Sequence, residues 1–143
     1  MSYQMTIAER EAFLADVHVG VLSISQPDRG PLTAPVWYDY SGGDLWFLTG
    51  RDSRKGRLLA EGTRVSLCAQ TETVPYRYVV VEGPVTSIET GDRETHTRPM
   101  ARRYLGEAGG DAYVAGVADS GDESILATVR CEHWLTVDYG KRG

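Results

Sequence analysis

Lysine is nearly absent: Lys55 and Lys141 are the only two among fifteen basic residues. Cysteine is scarce as well, with Cys68 and Cys131 far apart inside apolar runs, no Cys-x-x-Cys pair and no histidine at ligand spacing. No metal is therefore assigned, and structural thiols in a reducing compartment are expected. No stretch approaches the ~20 apolar residues of a spanning helix, and the opening MSYQMTIAEREAFLAD has no apolar core of signal-peptide length, so a cytoplasmic protein without a membrane partner is expected. Basic charge is outnumbered, 15 to 20, giving a net charge of -5 and a pI near 5.2. The chain lacks the broad positive field that general nucleic-acid binding requires. It also lacks a Walker A loop, which argues against nucleoside triphosphate hydrolysis. His18, His96 and His133 are scattered, with no serine or cysteine at a recognisable elbow, so a hydrolytic triad has no starting point.

What is present fits one domain spanning residues 1–143, a length typical of a single core. Thr6 and Glu9 form a T-x-x-E capping box that opens a short amphipathic helix. The period then changes. Val17–Ser25, Leu32–Tyr40 and Asp44–Gly50 are rich in β-branched and aromatic residues and are split by QPDRGP and SGG, the pattern of an antiparallel meander. Arg64–Gln70 and Tyr76–Glu89 continue the sheet, with Gly83 and Pro84 where a bulge or bend turns a barrel corner. Asp92–Gly106 has helical composition broken by Pro99, the Gly- and Asp-rich segment that follows reads as a loop with a short helix, and Ser124–Gly140 closes the sheet. The fold class is mainly β: a small barrel of about six antiparallel strands with two or three helical insertions.

The most informative stretch is LTGRDSRKGRLLAEG, residues 48 to 62. A strand turns through Gly50 and Asp52 into a helix capped by Ser53, and Arg54, Lys55 and Arg57 crowd its first turn, the end where cations are disfavoured. Either they are a solvated end pairing with Asp52 or Glu61, or they await an anion. Hydroxyls, free amides and a lysine at a strand-to-helix turn suit a phosphate. His96 near Arg98, Arg102 and Arg103 is a weaker anion-site candidate, and Glu82 is either a buried acid or an outward-facing residue.

The order GVLSI, GPLTAPVWYDY, GDLWFLTGRDSRKGRLL, RVSLCAQ, YRYVVVEGPV resembles the pyridoxamine 5′-phosphate oxidase-like split β-barrel family, which includes flavin- and deazaflavin-dependent oxidoreductases of actinobacteria. The likeness covers residues 7 to 90 and is most specific in PVWYDY and LTGRDSRKGRLL. It implies a homodimer with a cofactor in the groove between subunits. Carried over by position, it places the cofactor phosphate at Thr49, Ser53, Arg54 and Lys55, the flat ring beside Pro35, Val36 and Trp37, and Gln70 at the same site. Pro35 fits independently, since a residue without an N–H belongs on a strand edge or bulge.

The implied chemistry is hydride transfer between bound cofactor and a small organic substrate, with no catalytic side chain identified. Coenzyme F420 is favoured over FMN because its long anionic tail needs a run of positive charge. Arg51, Arg54, Lys55 and Arg57 supply one, with Arg77 and Arg98 to Arg103 as further candidates. The alternatives are an FMN-dependent oxidoreductase, a non-catalytic flavin or deazaflavin carrier, and a plain structural barrel. The extended C-terminal segment that grips pyridoxal phosphate in true oxidases of the family has no counterpart, so that specific activity is not expected. Trp37, Tyr38, Trp46 and Tyr78 are more aromatic surface than a barrel of this size buries, which also suggests a dimer.

Overall fold

In a computed structural model, residues 2–117 and 123–141 are described. The chain runs α1 (Ile7–Ala15), β1 (Gly20–Gln26), β2 (Arg29–Val36), β3 (Asp39–Ser41), β4 (Asp44–Gly50), α2 (Arg54–Leu58), β5 (Arg64–Gln70) and β6 (Arg77–Thr90). A wide helical turn (Arg93–Thr97), α3 (Arg98–Val117), β7 (Ser124–Arg130) and β8 (His133–Asp138) complete it. All ladders are antiparallel, in the order β2-β1-β5-β6-β7-β4-β3, with β8 also on β6. This is the expected mainly β split barrel with three helices, its sheet not closed, and α2 sits where β1 and β4 fail to meet.

β6 is the hinge of the architecture. Its first half pairs with β5 and β8, its second half with β7. At the bend, a Cβ on Gly83 would lie 1.7 Å from the Arg130 carbonyl oxygen, so glycine is what lets the strand turn the corner. The bulge itself falls just beyond the expected pair, where Thr86 is the extra residue between Val85 and Ser87.

Among the described residues eight strands form rather than six, for identifiable reasons. Leu32–Tyr40 splits because the backbone N–H and C=O of Tyr38 bond the Tyr104 hydroxyl instead of a ladder, and the chain crosses there from one end of the strand order to the other. The meander is thus two hairpins, β1–β2 and β3–β4. Ser124–Gly140 splits at Cys131 and Glu132, whose amides bond Gly43 and Glu82, because the partner of a bent strand must break where the strand bends. Val17–Val19 precede β1 rather than opening it. The Gly- and Asp-rich segment is helical up to Val117, and its residues 118–122 lie outside the described ones.

The core follows the alternation. Leu22, Ile24, Leu67, Val79, Val81, Leu45 and Phe47 face inward and are almost wholly buried, joined by Leu14 of α1. Each such side chain contributes roughly 1.5–3 kcal/mol relative to exposure. The Thr6–Glu9 capping box is present, with both reciprocal bonds made. Tyr38 is fully buried and its hydroxyl donates to the Leu14 carbonyl at 2.7 Å, tying α1 to the barrel.

Candidate functional site

The strand-to-helix turn forms as its residues dictate. Ser53 caps α2: its hydroxyl accepts from the Gly56 N–H at 3.0 Å and donates to the Gly50 carbonyl at 2.7 Å. The Thr49 hydroxyl, almost fully buried, lies 3.1 Å from the Ser53 hydroxyl. A Cβ on Gly56 would meet the Gly50 carbonyl oxygen at 2.1 Å, so the helix packs directly on the turn. Among the described residues the amides of Arg54 and Lys55, the first two of α2, have no backbone acceptor.

This turn opens onto a cleft of about 1070 Å³. Of the expected residues, Pro35, Val36, Trp37, Thr49 and Lys55 line it together. Four others do not. Ser53 is spent on the cap. Arg51 is held by Glu123, N–O distance 3.1 Å, and Arg54 donates to the Gln26 amide oxygen at 3.1 Å. Gln70 lies exposed at the end of β5, opposite Tyr78 and outside the cleft lining. Lys55 is half-buried and has no hydrogen bond or carboxylate partner among the described residues. A cation without a counterion in a cleft, beside unpaired amides, fits the phosphate of a flavin-type cofactor by the chemistry of its donors.

Pro35 sits in the edge strand β2, as a residue lacking an N–H requires. Trp37 is less free than the sequence implies. Tyr104 stacks on its ring at 5.1 Å and 9°, and Tyr113 leans on it at 5.2 Å and 52°. Its ring is therefore already packed by two tyrosines.

The arginines of α3 are committed elsewhere. Arg98 bridges Glu94 and Asp111 at 2.7 and 2.6 Å, and Arg102 binds Asp111 through both oxygens. Arg103 pairs with Asp39 and donates to the carbonyls of Ala15, Asp16 and Tyr38. Arg77 lies over the Phe13 ring. None of these four lines the cleft; among the described residues the basic side chains that do are Lys55 and Arg93, with Arg54 and Arg57 beside Lys55 on α2 but outside the lining. The His96 Nδ1 accepts from the Asp92 N–H, a local turn contact, and Glu82 is exposed, which settles it as outward-facing.

The cleft wall contributed by Met100, Tyr113 and Val117 was not foreseen. Tyr113 and Val117 are four apart, a spacing that puts both on one helix face, and the surrounding glycines obscured it. Two carboxylates in the wall are held in their charged form: the Arg98 guanidinium holds Glu94 below its usual range, and the Thr95 amide does the same for Asp92. Neither is tuned as a proton donor near neutrality. The described residues hold no cluster of three or more metal-ligating side chains and no helix long and apolar enough to cross a membrane.

No curated protein matches the sequence. Solved structures do resemble the fold: an F420 reductase at 22% identity and TM-score 0.69, covering 87% of this chain and 94% of that one. A conserved hypothetical protein from Mycobacterium tuberculosis follows at 22% and 0.74, covering 96% and 88%. A FAD- and heme-binding protein from Mycobacterium smegmatis matches at 11% and 0.63, covering 94% and 72%. The family model described as pyridoxamine 5′-phosphate oxidase matches residues 6–137, nearly the whole described chain, and so this protein belongs to the pyridoxamine 5′-phosphate oxidase family.

Proposed function

We propose that this protein is a flavin-type oxidoreductase that uses F420 and moves hydride between the cofactor and a small organic substrate. The observation that carries the reading is Lys55, a cleft-lining cation without a counterion among the described residues, at the end of a strand-to-helix turn. Lys55 would hold the cofactor phosphate with the free amides of Arg54 and Lys55, while Thr49 and Ser53 keep the turn in shape. Pro35, Val36 and Trp37 would flank the ring along the free edge of β2. Arg54 and Arg57, which also have no carboxylate partner among the described residues, are placed to receive a longer anionic tail. That supports F420 over FMN, as does the likeness to an F420 reductase. The bound group would supply the two-electron chemistry. The chain would hold it, exclude water and present the substrate, and no side chain in the cleft is assigned as acid or base.

The protein would act as a homodimer in the cytoplasm. On the outer face of the sheet the register aligns Pro35, Val21, Cys68, Val80 and Leu135 in one apolar row across five strands, with Leu135 58% exposed. A second copy is the self-complementary cover such a row suits. Light scattering at micromolar concentration is expected to give a dimer; a strict monomer that still binds cofactor removes this part.

The decisive test is titration with FMN and with F420 of several tail lengths, read by absorbance. F420 is expected to bind more tightly with longer tails and more weakly as salt is raised, because exposed charges are screened within ~10 Å at 0.1 M. Tight FMN binding with no F420 binding reverses the cofactor assignment. Binding of neither ends the reading.

A further inference from the structure

Three strand ends meet at the Lys55 end of the cleft. Gly50 of β4 pairs with Ser124 of β7, and the Gly91 N–H, just past β6, donates to the Ser124 carbonyl at 2.8 Å. The turns that leave these ends bring charged side chains of both signs into the lining, Lys55 and Arg93 against Asp92, Glu94 and Glu123. Glu94 is bound by the Arg98 guanidinium, and the nearby Arg93 charge also favours its ionised form. Asp92 accepts from the Thr95 N–H at 2.8 Å as the cap of its own turn. Glu123 is the lining carboxylate tied to the cationic turn before α2.

That tie runs through backbone and side chain alike. The Glu123 carbonyl accepts from the Arg51 N–H at 2.8 Å, its Oε2 lies 3.1 Å from Arg51 Nε, and its Oε1 lies 3.4 Å from a terminal guanidinium nitrogen. The Thr90 hydroxyl stands 3.5 Å from the same Oε1. The carboxylate lines the cleft, whereas the guanidinium it holds does not. Arg51 directly follows Gly50 and precedes Lys55 by four residues, so this pair commits a second cation of the turn outside the lining. Arg54 and Arg57 stand beside Lys55 on α2 but outside the lining as well. An anion at Lys55 therefore meets one ammonium of the turn, with the Glu123 carboxylate in the same wall.

On the reading that Lys55 holds the cofactor phosphate, on which this rests, we infer that Glu123 is the specificity-determining residue of that end. It limits the end to an anion of one charge, a phosphodiester, and penalises the second charge of a terminal phosphomonoester. A diester carries one negative charge, which one ammonium balances, whereas a monoester carries about −1.5 to −2 at pH 7. The excess faces the Glu123 carboxylate across a cleft partly closed to water, where like charges repel more strongly than in bulk solvent. Arg51, spent on Glu123, does not balance it. A phosphate with more tail beyond it is necessarily a diester, while FMN ends in a monoester.

The test is calorimetric titration with three probes that share one ring: riboflavin, which has no phosphate; FMN, the monoester; and riboflavin 4′,5′-cyclic phosphate, a diester of one charge. The same three are made with the 8-hydroxy-5-deazaflavin ring, and all are titrated at about pH 8, where the monoester, with a second pKa of about 6, has lost both protons. The wild type is expected to bind the diester at least about three-fold more tightly than the monoester. Glu123→Gln removes the carboxylate charge and releases Arg51. It is expected to tighten the monoester about ten-fold and the diester less than about three-fold, leaving the phosphate-free probe unchanged. That probe guards against damage to the fold, which would weaken all three alike. Equal wild-type affinity for the two esters overturns the inference, as does a Glu123→Gln variant in which both esters change by the same factor. In that event a Lys55→Ala variant that weakens both esters but not the phosphate-free probe leaves the cofactor reading standing. If Lys55→Ala leaves the esters unchanged, or if no member of either series binds, the reading and the inference fall together.

Discussion

Replacing Lys55 by alanine is expected to lower ligand affinity and leave stability level or raised, and the opposite signs make it a sharp experiment. In the free protein Lys55 has no ion pair or hydrogen bond to lose among the described residues. Alanine is the better helix former, and in a helix of five residues Lys55 stands in the last turn as well as the first, so the helix dipole gives no net stabilisation to lose. In the complex, a hydrogen bond to a charged group contributes roughly 1.5–3 kcal/mol, about ten- to hundred-fold in the dissociation constant. Arg51→Ala is the control. It breaks a pair whose side chains are about half exposed, worth about 0–1 kcal/mol at most, and the residue does not line the cleft, so affinity should change less than three-fold. The assay is titration of the wild type and both variants with F420 and FMN at two salt concentrations, alongside urea denaturation. If Lys55→Ala binds like the wild type, or if Arg51→Ala weakens binding as much, the anion is not held at Lys55 and the reasoning fails.

Gly83→Ala should destabilise the protein by at least about 2 kcal/mol, because the new Cβ overlaps the Arg130 carbonyl and the bend cannot relax; an unchanged urea midpoint would contradict the role given to that corner. Tyr38→Phe leaves the buried Leu14 carbonyl without its donor and should cost about 1–2 kcal/mol in the same assay. Asp111→Asn should speed amide exchange across the second half of α3 while sparing β5 and β6, whereas uniform exchange would show that the ion pairs of Asp111 with Arg98 and Arg102 hold nothing locally. Stability should also fall at alkaline pH. Burial pushes Tyr40 and Cys131 up to about 12 and raises Tyr38 and Tyr104 as well, so the unfolded chain releases protons first. That stabilisation is whole below about pH 9 and is lost progressively toward 12, which urea midpoints measured from pH 8 to 11 should follow. A flat profile would mean that these groups are solvated.

Local chemistry was enough to place the capping box at Thr6 and Glu9, the Ser53 cap, the cationic turn, the edge position of Pro35 and the corner at Gly83. Each depends on residues within a few positions of one another, or on a backbone constraint that a single residue type carries. The sequence pattern also revealed strand membership, because alternation over β1, β4, β5 and β6 is the burial pattern itself. Tertiary structure decided what depended on distant partners. Tyr104 broke an apparently continuous strand at Tyr38 by taking both backbone groups, an interaction across 66 residues. Asp111 and Glu94 withdrew Arg98 and Arg102 from the cationic run, although nothing in the spacing of those arginines marks them as spent. The sequence offered Trp37 as a candidate, but not that Tyr104 and Tyr113 would close on its ring. The cleft exists because a glycine-rich segment folds back as a helix beside it. At Gly110 a Cβ would come within 2.6 Å of the Arg102 amide nitrogen, and no reading of neighbours along the chain contains that contact.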